Sequence, residues 1–400
     1  MLTLDQAQAQ IEAGIRRARE SETVSLEQAL GCYLATDTTA VVANPAFENS
    51  AMDGYAVHAA DLPDGDFRLP LHGESRCGDA PKSLTPGTTM RIFTGAPMPA
   101  GADAVVIQED IHIEGESIHF PRTVQPGQNV RHAGEDFAAG EALLPRGTRL
   151  NARDIALLSA AGVATPKVFR PARALVFATG DELVAPGTPL KPGQIYESNR
   201  IATLLQLREL GCVVEDGGTV ADDPDAVRER LQSAGDYDFI ITSGGVSVGD
   251  YDLVKQVFAE IGEIEFWKVR IKPGKPLAHG YLGERGHFFG LPGNPISSLV
   301  TFELFVRPAV IAWHHGADHR MALRATAVNE YRRSPGRTEF VRARLSLEDG
   351  ELTAMALPGQ GSHMLGTLRQ TNALIRVEQD HNGFSAGDAV TVLPLSMDLD

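Results

Sequence analysis

Glu182, Asp222 and Asp252 each follow an apolar run, and Lys268, Lys272 and Lys275 follow the next one. Carboxylates are the hard oxygen donors that Mg2+ takes, and lysine ammoniums serve as point charges for phosphate or another oxyanion. Singly, such residues are ordinary. A loop carboxylate usually caps a helix or faces water, as Asp223 before Pro224 is placed to do. Together at successive strand ends, with two lysines in the proline-stiffened Lys272-Pro273-Gly274-Lys275-Pro276, they point to a metal-assisted site for a nucleotide or phosphate ester.

Two turns add to this chemistry. Ser243-Gly244-Gly245-Val246-Ser247-Val248-Gly249 follows the apolar Phe239-Ile240-Ile241-Thr242 and precedes Asp250 and Asp252. Glycines there admit positive φ and let an anion approach backbone N–H groups. The loop is not a Walker A motif, because no Gly-Lys-Ser/Thr closes it, so its weight comes from its position. Pro292-Gly293-Asn294-Pro295 ends another strand and starts a helix with Ser297 and Ser298 in its first turn. A helix N-terminus at the mouth of a site favours an anion.

The elements that must position these residues read as alternating strands and helices from Arg173 to about Gly316. Ala174 to Ala178 is a strand running into Thr179-Gly180-Asp181-Glu182. Asn199 is placed to cap a helix that Gly211 stops, Cys212 to Val214 starts the next strand, and Tyr251 to Ile261 is helical. Ile264 to Ile271 reads as a strand that delivers the lysines. Such alternation means βαβ units with right-handed crossovers on a mostly parallel sheet. Ligands of open α/β sheets bind beyond the carboxyl ends of the strands, where all these loops lie.

The remaining chain has a different texture. Leu4, Ala7, Ile11 and Ile15 mark one helix face, and Ser25 with Gln28 suggests a capping box for a second short helix. From Asn44 to about Phe137 short strands alternate with Gly and Pro, as in a small barrel or sandwich. Asn151 then caps a helix that returns to the first ones, making the β segment an insertion. Five strands follow Gly316: Met321 to Val328, Glu339 to Leu347, Glu351 to Ala356, Ala373 to Glu378 and Ala389 to Leu393. The expected organisation is multidomain α/β plus β. It has a helical linking part (1–43 with 141–168), an inserted β domain (44–140), an α/β domain (169–316) and a C-terminal β domain (317–400).

The formal charge of -16 argues against general nucleic-acid binding, so attraction for an anion must be local. Cys32, Cys77 and Cys212 are far apart and fit a reducing cytoplasm better than a disulfide framework or a zinc site. No secretory signal is visible at Met1-Leu2-Thr3-Leu4-Asp5-Gln6. Leu299 to Trp313 is broken by Glu303 and Arg307-Pro308 and is too short to span a bilayer. Asp53 and Asp136 read as turn aspartates unless domains or subunits face each other. His132, His314 and His315 read as surface residues.

Taken together and in order, several segments resemble the molybdopterin molybdenumtransferases, the molybdenum-insertion enzymes related to the E domain of gephyrin. They are Ser50-Ala51-Met52-Asp53-Gly54-Tyr55-Ala56-Val57, Thr94-Gly95-Ala96-Pro97, Gly134-Glu135-Asp136, Thr179-Gly180-Asp181-Glu182-Leu183, the Ser243 to Gly249 loop, the Lys272 to Pro276 loop and Gly290-Leu291-Pro292-Gly293-Asn294-Pro295. The resemblance implies a Rossmann-like α/β domain like that of pterin adenylyltransferases and a C-terminal β-barrel. It also implies a homodimer whose site lies between the α/β domain of one subunit and the inserted β domain of the other. Asp53, Thr94 and Asp136 would then face Glu182, Asp222, Asp252, Lys268, Lys272, Pro292 and Pro295. Lys272, Lys275 and Ser297 resemble an oxyanion site for molybdate, and Arg337 with Ser362 a second one. His363-Met364-Leu365-Gly366-Thr367 departs from the family's serine-rich run.

The expected reaction is insertion of molybdenum from molybdate into adenylylated molybdopterin, with Mg2+-assisted pyrophosphate cleavage and release of AMP. Asp222, Asp252 and Glu182 would hold the metal, the lysines would balance charge, and Asp53 would orient the pterin or a water. Other proteins of molybdenum cofactor synthesis are expected partners. The rival expectations are a pterin adenylyltransferase or nucleotide pyrophosphatase on the same α/β domain, and a non-catalytic scaffold like gephyrin.

Overall fold

The computed structural model describes residues 1–62, 66–245, 253–318 and 320–396. Ser247, Asp250 and Asp252 lie outside the described residues.

Helix α1 (Leu4–Ala13) is closed by a Thr3/Gln6 capping box and buries Leu4, Ala7 and Ile11; it stops at Gly14, so Ile15 lies beyond it. Ser25 and Gln28 do exchange hydrogen bonds, yet residues 26–31 form only turns, a correction to the expected second helix. Six strands follow: β1 (Gly54–Val57), β2 (Phe67–Ser75), β3 (Thr89–Ile92), β4 (Ala104–Ile107), β5 (His112–Glu114) and β6 (Ser117–Phe120), in the order β4-β1-β3-β2-β6-β5. Helix α2 (Ala152–Ala160) carries the expected Asn151 cap, completed by Asp154.

The α/β layer contains β7 (Arg173–Thr179), α3 (Asn199–Glu209), β8 (Val213–Val220), α4 (Pro224–Gln232), β9 (Phe239–Ser243), α5 (Leu253–Ile261), β10 (Glu263–Lys268), β11 (Pro276–Leu282), β12 (Gly286–Leu291), α6 (Pro295–Thr301) and α7 (Arg307–Trp313). Its six-stranded sheet is mixed, in the order β8-β7-β9-β12-β11-β10, with β7, β8, β9 and β12 parallel and β11 antiparallel to both neighbours. Alternation along the strands sorts side chains into two cores, because successive residues face opposite sides of a sheet. Val176, Ile241 and Phe289 pack with Leu204, Leu207, Val300 and Val310 on one side. Phe177, Ile240 and Phe288 pack with Val227, Leu231, Val257 and Phe258 on the other. Each such Phe contributes about 2–3 kcal/mol by leaving water.

Residues Pro295–Trp313, joined by a π-helical turn at Phe302–Val306, are long and apolar enough to cross a membrane, but 72% of the stretch is buried in the protein, as in a core helix. His314 follows it and is 2% exposed, a correction to the surface reading. Its ring stacks on Tyr33 at 4.5 Å, and His315, only partly exposed, stacks on Phe169.

The last strands are β13 (Leu323–Ala327), β14 (Thr338–Glu348), β15 (Glu351–Ala356), β16 (Ala373–Val377) and β17 (Ala389–Pro394). They run β14-β15-β13-β17-β16, and pairing of β16 with β14 closes a five-stranded barrel. Val341, Ala343 and Leu345 fill its interior, whereas Phe340 faces outward and joins the α/β core. The expected strand to Ile271 instead ends at Lys268. Ile271–Lys272 leaves the sheet and pairs with the start of β14.

Candidate active site

The strand directions bring most of the singled-out residues to one edge. β7, β8, β9, β12 and β10 end there at Thr179, Val220, Ser243, Leu291 and Lys268, and β11 starts there at Pro276. The loops carrying Glu182, Asp222, Gly244, Gly245, Pro292 and the three lysines all leave from this edge.

Carboxylates meet at the ends of β7 and β8. The Asp222 N–H donates to Asp181 Oδ1 at 3.1 Å, and the Asp181 N–H is turned towards the Asp222 carboxylate. Glu182 folds over Gly180, where a side chain would come within 2.7 Å of its Oε2. Partial burial, then the Asp181 charge, then Glu182 push the Asp222 carboxyl above the usual carboxylate range; the Asp181 N–H opposes them. Asp222 therefore does not cap α4; Asp223 does, accepting from the Ala226 N–H at 2.9 Å. Among the described residues no group of three or more His, Cys, Asp or Glu side chains is arranged to hold a metal. Glu182 and Asp222 are nevertheless oxygen donors of the right kind, crowded by like charge that a divalent cation would relieve.

The glycine turn is sterically compulsory. Gly244 and Gly245 have φ of 89° and 65°. An added Cβ would sit 2.6 Å from the Thr179 carbonyl at the first and 2.4 Å from Val254 Cγ2 at the second. Buried Ser243 ends β9, and the Gly244 N–H donates to Leu291 O at 3.2 Å, tying this turn to the end of β12. Beyond β12, Pro292 is buried and Asn294 precedes Pro295 at the first position of α6, but the Asn294 side chain makes no capping bond. Asn199 does not cap α3 as expected. It is that helix's first residue, and its Nδ2 donates to Gly293 O at 2.7 Å, holding the turn.

The lysines sit in unlike surroundings. Lys268 is exposed and Lys275 half-buried, while Lys272 Nζ lies 2.8 Å from Glu339 Oε1. Glu339 is a buried barrel carboxylate that also accepts from Tyr331 Oη at 2.8 Å and lies 3.5 Å from Arg333 Nη1. The barrel thus holds the lysine loop. Arg337 Nη1 donates to Ile271 O at 3.4 Å, and the Ser362 carbonyl accepts the Ile296 N–H at 3.0 Å beside buried Ser297. Arg337 and Ser362 accordingly lie next to Lys272 and Ser297.

Asp53 and Thr94 form a separate pair. Asp53 Oδ1 accepts from the Thr94 N–H at 2.7 Å and Thr94 Oγ1 at 2.8 Å. Those bonds, the backbone one first, hold its carboxyl below the usual range. Asp136 accepts from Asn44 Nδ2 at 2.9 Å. The hydrogen-bond partners of these three stay within the first 140 residues and do not reach the α/β edge among the described residues. Asp181 and Glu339 were not assigned roles from the sequence. The position of Asp181 beside Glu182 was a usable signal, whereas nothing near Glu339 in the chain marks its lysine.

Comparison with known proteins now bears on this geometry. Residues 2–162 match the MoeA N-terminal region (domain I and II), 175–312 a probable molybdopterin binding domain, and 324–395 the MoeA C-terminal region (domain IV). The chain is 37% identical to the molybdopterin molybdenumtransferase of Haemophilus influenzae, covering 99% of each. It is 34% identical to that of Bacillus subtilis, covering 94% of this chain and 90% of the other. The fold is similar to a molybdopterin biosynthesis MoeA protein of Pyrococcus horikoshii, with TM-score 0.83, 30% identity and 99% of both chains covered.

Proposed function

This chain belongs to the molybdopterin molybdenumtransferase family, a transferase of molybdenum cofactor biosynthesis, and from that premise we propose that it inserts molybdenum from molybdate into adenylylated molybdopterin, cleaving the pyrophosphate with Mg2+ and releasing AMP. The observation that carries the finer reading is the shared edge of Asp222 with its Asp181 partner, the glycine turn at Gly244 and the lysine loop.

Glu182 and Asp222, with Asp252 from outside the described residues, would hold the Mg2+, which when bound polarises phosphate oxygens and orients them. The protein's own groups do the rest. Asp181 fixes the backbone at Asp222, and the turn after Ser243, where Gly244 and Gly245 carry no Cβ and Ser247 follows outside the described residues, lets phosphate oxygens come close to the backbone beyond Gly244. Lys268 and Lys275 face charge developing on the leaving phosphate. Lys272, steadied by Glu339, joins Lys275 and Ser297 around the incoming oxyanion, with Arg337 and Ser362 as its way in. Pro292, Asn294 and Pro295 form the rim at the start of α6.

Asp53, Thr94 and Asp136 act in this reading from the inserted β domain of a second subunit, orienting the pterin or a water. The α/β layer would be organised as in pterin adenylyltransferases, and the widely spaced free cysteines support a cytoplasmic location.

Asp252→Ala should abolish molybdate-dependent AMP release while leaving the melting curve unchanged; near-normal turnover would remove the metal from the mechanism. Mixing inactive Asp53→Ala and Asp222→Ala proteins tests the shared site. Re-assorted dimers should recover about a quarter of native activity, because one of two sites in each mixed dimer is intact. Absence of recovery in verified mixed dimers would return the site to a single chain.

A further inference from the structure

The opposite, amino edge of the same sheet carries a cleft of about 1160 Å3 that the reaction does not use. Its lining brings six arginines (Arg16, Arg17, Arg19, Arg146, Arg170 and Arg285) against three carboxylates, on a chain whose net charge is -16. From this arrangement we infer a second binding site, for a small oligophosphate anion, at the amino edge of the α/β layer.

Two of the three carboxylates in the cleft, Asp238 and Glu20, are already committed, and the third, Glu284, is exposed and makes no ion pair among the described residues. Arg170 grips buried Asp238 with two bonds of 2.7 and 2.8 Å, and both Arg170 and Arg285 pair with Glu20. No side-chain carboxylate lies within ion-pair distance of Arg16, Arg17, Arg19 or Arg146 among the described residues. Three of these four are pinned all the same, by uncharged groups. Arg16 donates to Gly283 O at 2.6 Å and lies 4.4 Å over the Tyr281 ring. Arg17 donates to Ala312 O at 2.8 Å. Arg146 bonds His315 Nε2 at 2.9 Å over the Phe169 ring.

Cations held in place without counter-charge have lost most of their side-chain freedom already, so an anion entering among them meets a prepared field. Guanidinium forks match phosphate oxygens in pairs. The aromatic rings at the wall are covered: Trp313 is 2% exposed and lies beneath Arg170, and Phe169 is 3% exposed beneath Arg146. Among the described residues the one partly exposed ring in the lining, His315, is already stacked on Phe169 and bonded to Arg146, which favours the phosphate chain itself over a nucleobase as the recognised part. Burial first, and then the repulsion of Arg146 and Arg17, hold the His315 imidazole below its ordinary pKa against the opposing bond to Ala18 O.

The test uses inorganic triphosphate as probe and the full chain, without Mg2+, in a calorimeter at 0.15 M salt. A Lys268→Ala/Lys275→Ala background weakens the candidate active site for anions, so that binding there and binding in the cleft are separable. In that background triphosphate should still bind once per chain, and adding Arg17→Ala/Arg19→Ala should weaken it about tenfold or more with an unchanged melting curve. Both substituted arginines are exposed, which keeps the variant folded. Loss of all binding in the lysine background, or equal binding with and without the two arginines, would overturn the inference. So would tight binding of a glutamate-rich peptide with none of triphosphate, which would make the cleft a protein-docking surface.

Discussion

The two edges of the α/β sheet handle charge in opposite ways. At the carboxyl edge Asp181, Glu182 and Asp222 crowd together, and Lys272 of the lysine loop is matched by a residue of the barrel. At the amino edge the buried carboxylate, Asp238, is saturated by Arg170 and the Arg173 N–H. The difference teaches that a carboxylate whose partners are complete serves the fold, while one left in the company of other carboxylates serves a ligand.

Substitutions should separate the two. Asp238→Ala removes the two bonds from Arg170 to the buried carboxylate, leaving that guanidinium only the exposed Glu20, and should cost about 3 kcal/mol of stability in denaturant unfolding, with turnover per folded molecule unchanged. A small loss would deny the edge its structural role. Asp222→Asn should do the reverse, lowering AMP release about 100-fold with little change in melting temperature. A variant that unfolds instead would make Asp222 another Asp238.

Acid should act at the amino edge first. Burial holds His287 at about 3 and His314 at about 4, against 6.5 in the unfolded chain. His314 shows why: Nδ1 faces Val310 O at 2.9 Å and Nε2 accepts the Ala172 N–H, an arrangement that only the neutral ring satisfies. The unfolded state therefore takes up these protons first. Their stabilising contribution is complete above pH 6.5 and declines by about 1.4 kcal/mol per histidine per pH unit as pH falls through 6.5 towards 4. Unfolding measured at pH 7.5, 6 and 5 should reveal this above the range where carboxylates titrate; a flat profile would deny it. The smallest effect belongs to Asp223→Ala, which should cost about 1 kcal/mol through loss of the α4 cap and leave turnover intact, sharpening the contrast with its neighbour Asp222.

Much of the fold was legible because it is written locally. Apolar runs of Val, Ile and Phe ending in glycine mark β7 and β9, and Asn151 and Asp223 announce their helices by side chains that reach only three residues. Local signals also misled. Ser25 and Gln28 make their reciprocal bonds over a turn too short to continue as a helix. Asn199 spends its amide on Gly293, 94 residues away, instead of on its own helix. His314 looked like a surface residue because nothing adjacent in the chain reveals the Tyr33 ring that covers it.

The chain's own order of residues determined the alternation of strands and helices, the glycine turn and the grouping of carboxylates and lysines after strands, because periodicity and turn chemistry act between near neighbours. Only the tertiary structure decided that β14 meets β16 to close the barrel, that Asp181 bonds Asp222 across 41 residues, that Glu339 takes Lys272, and that arginines from four separate segments face one cleft. Those contacts come from packing between elements, where the partner is chosen by which faces must be buried together and not by distance along the chain.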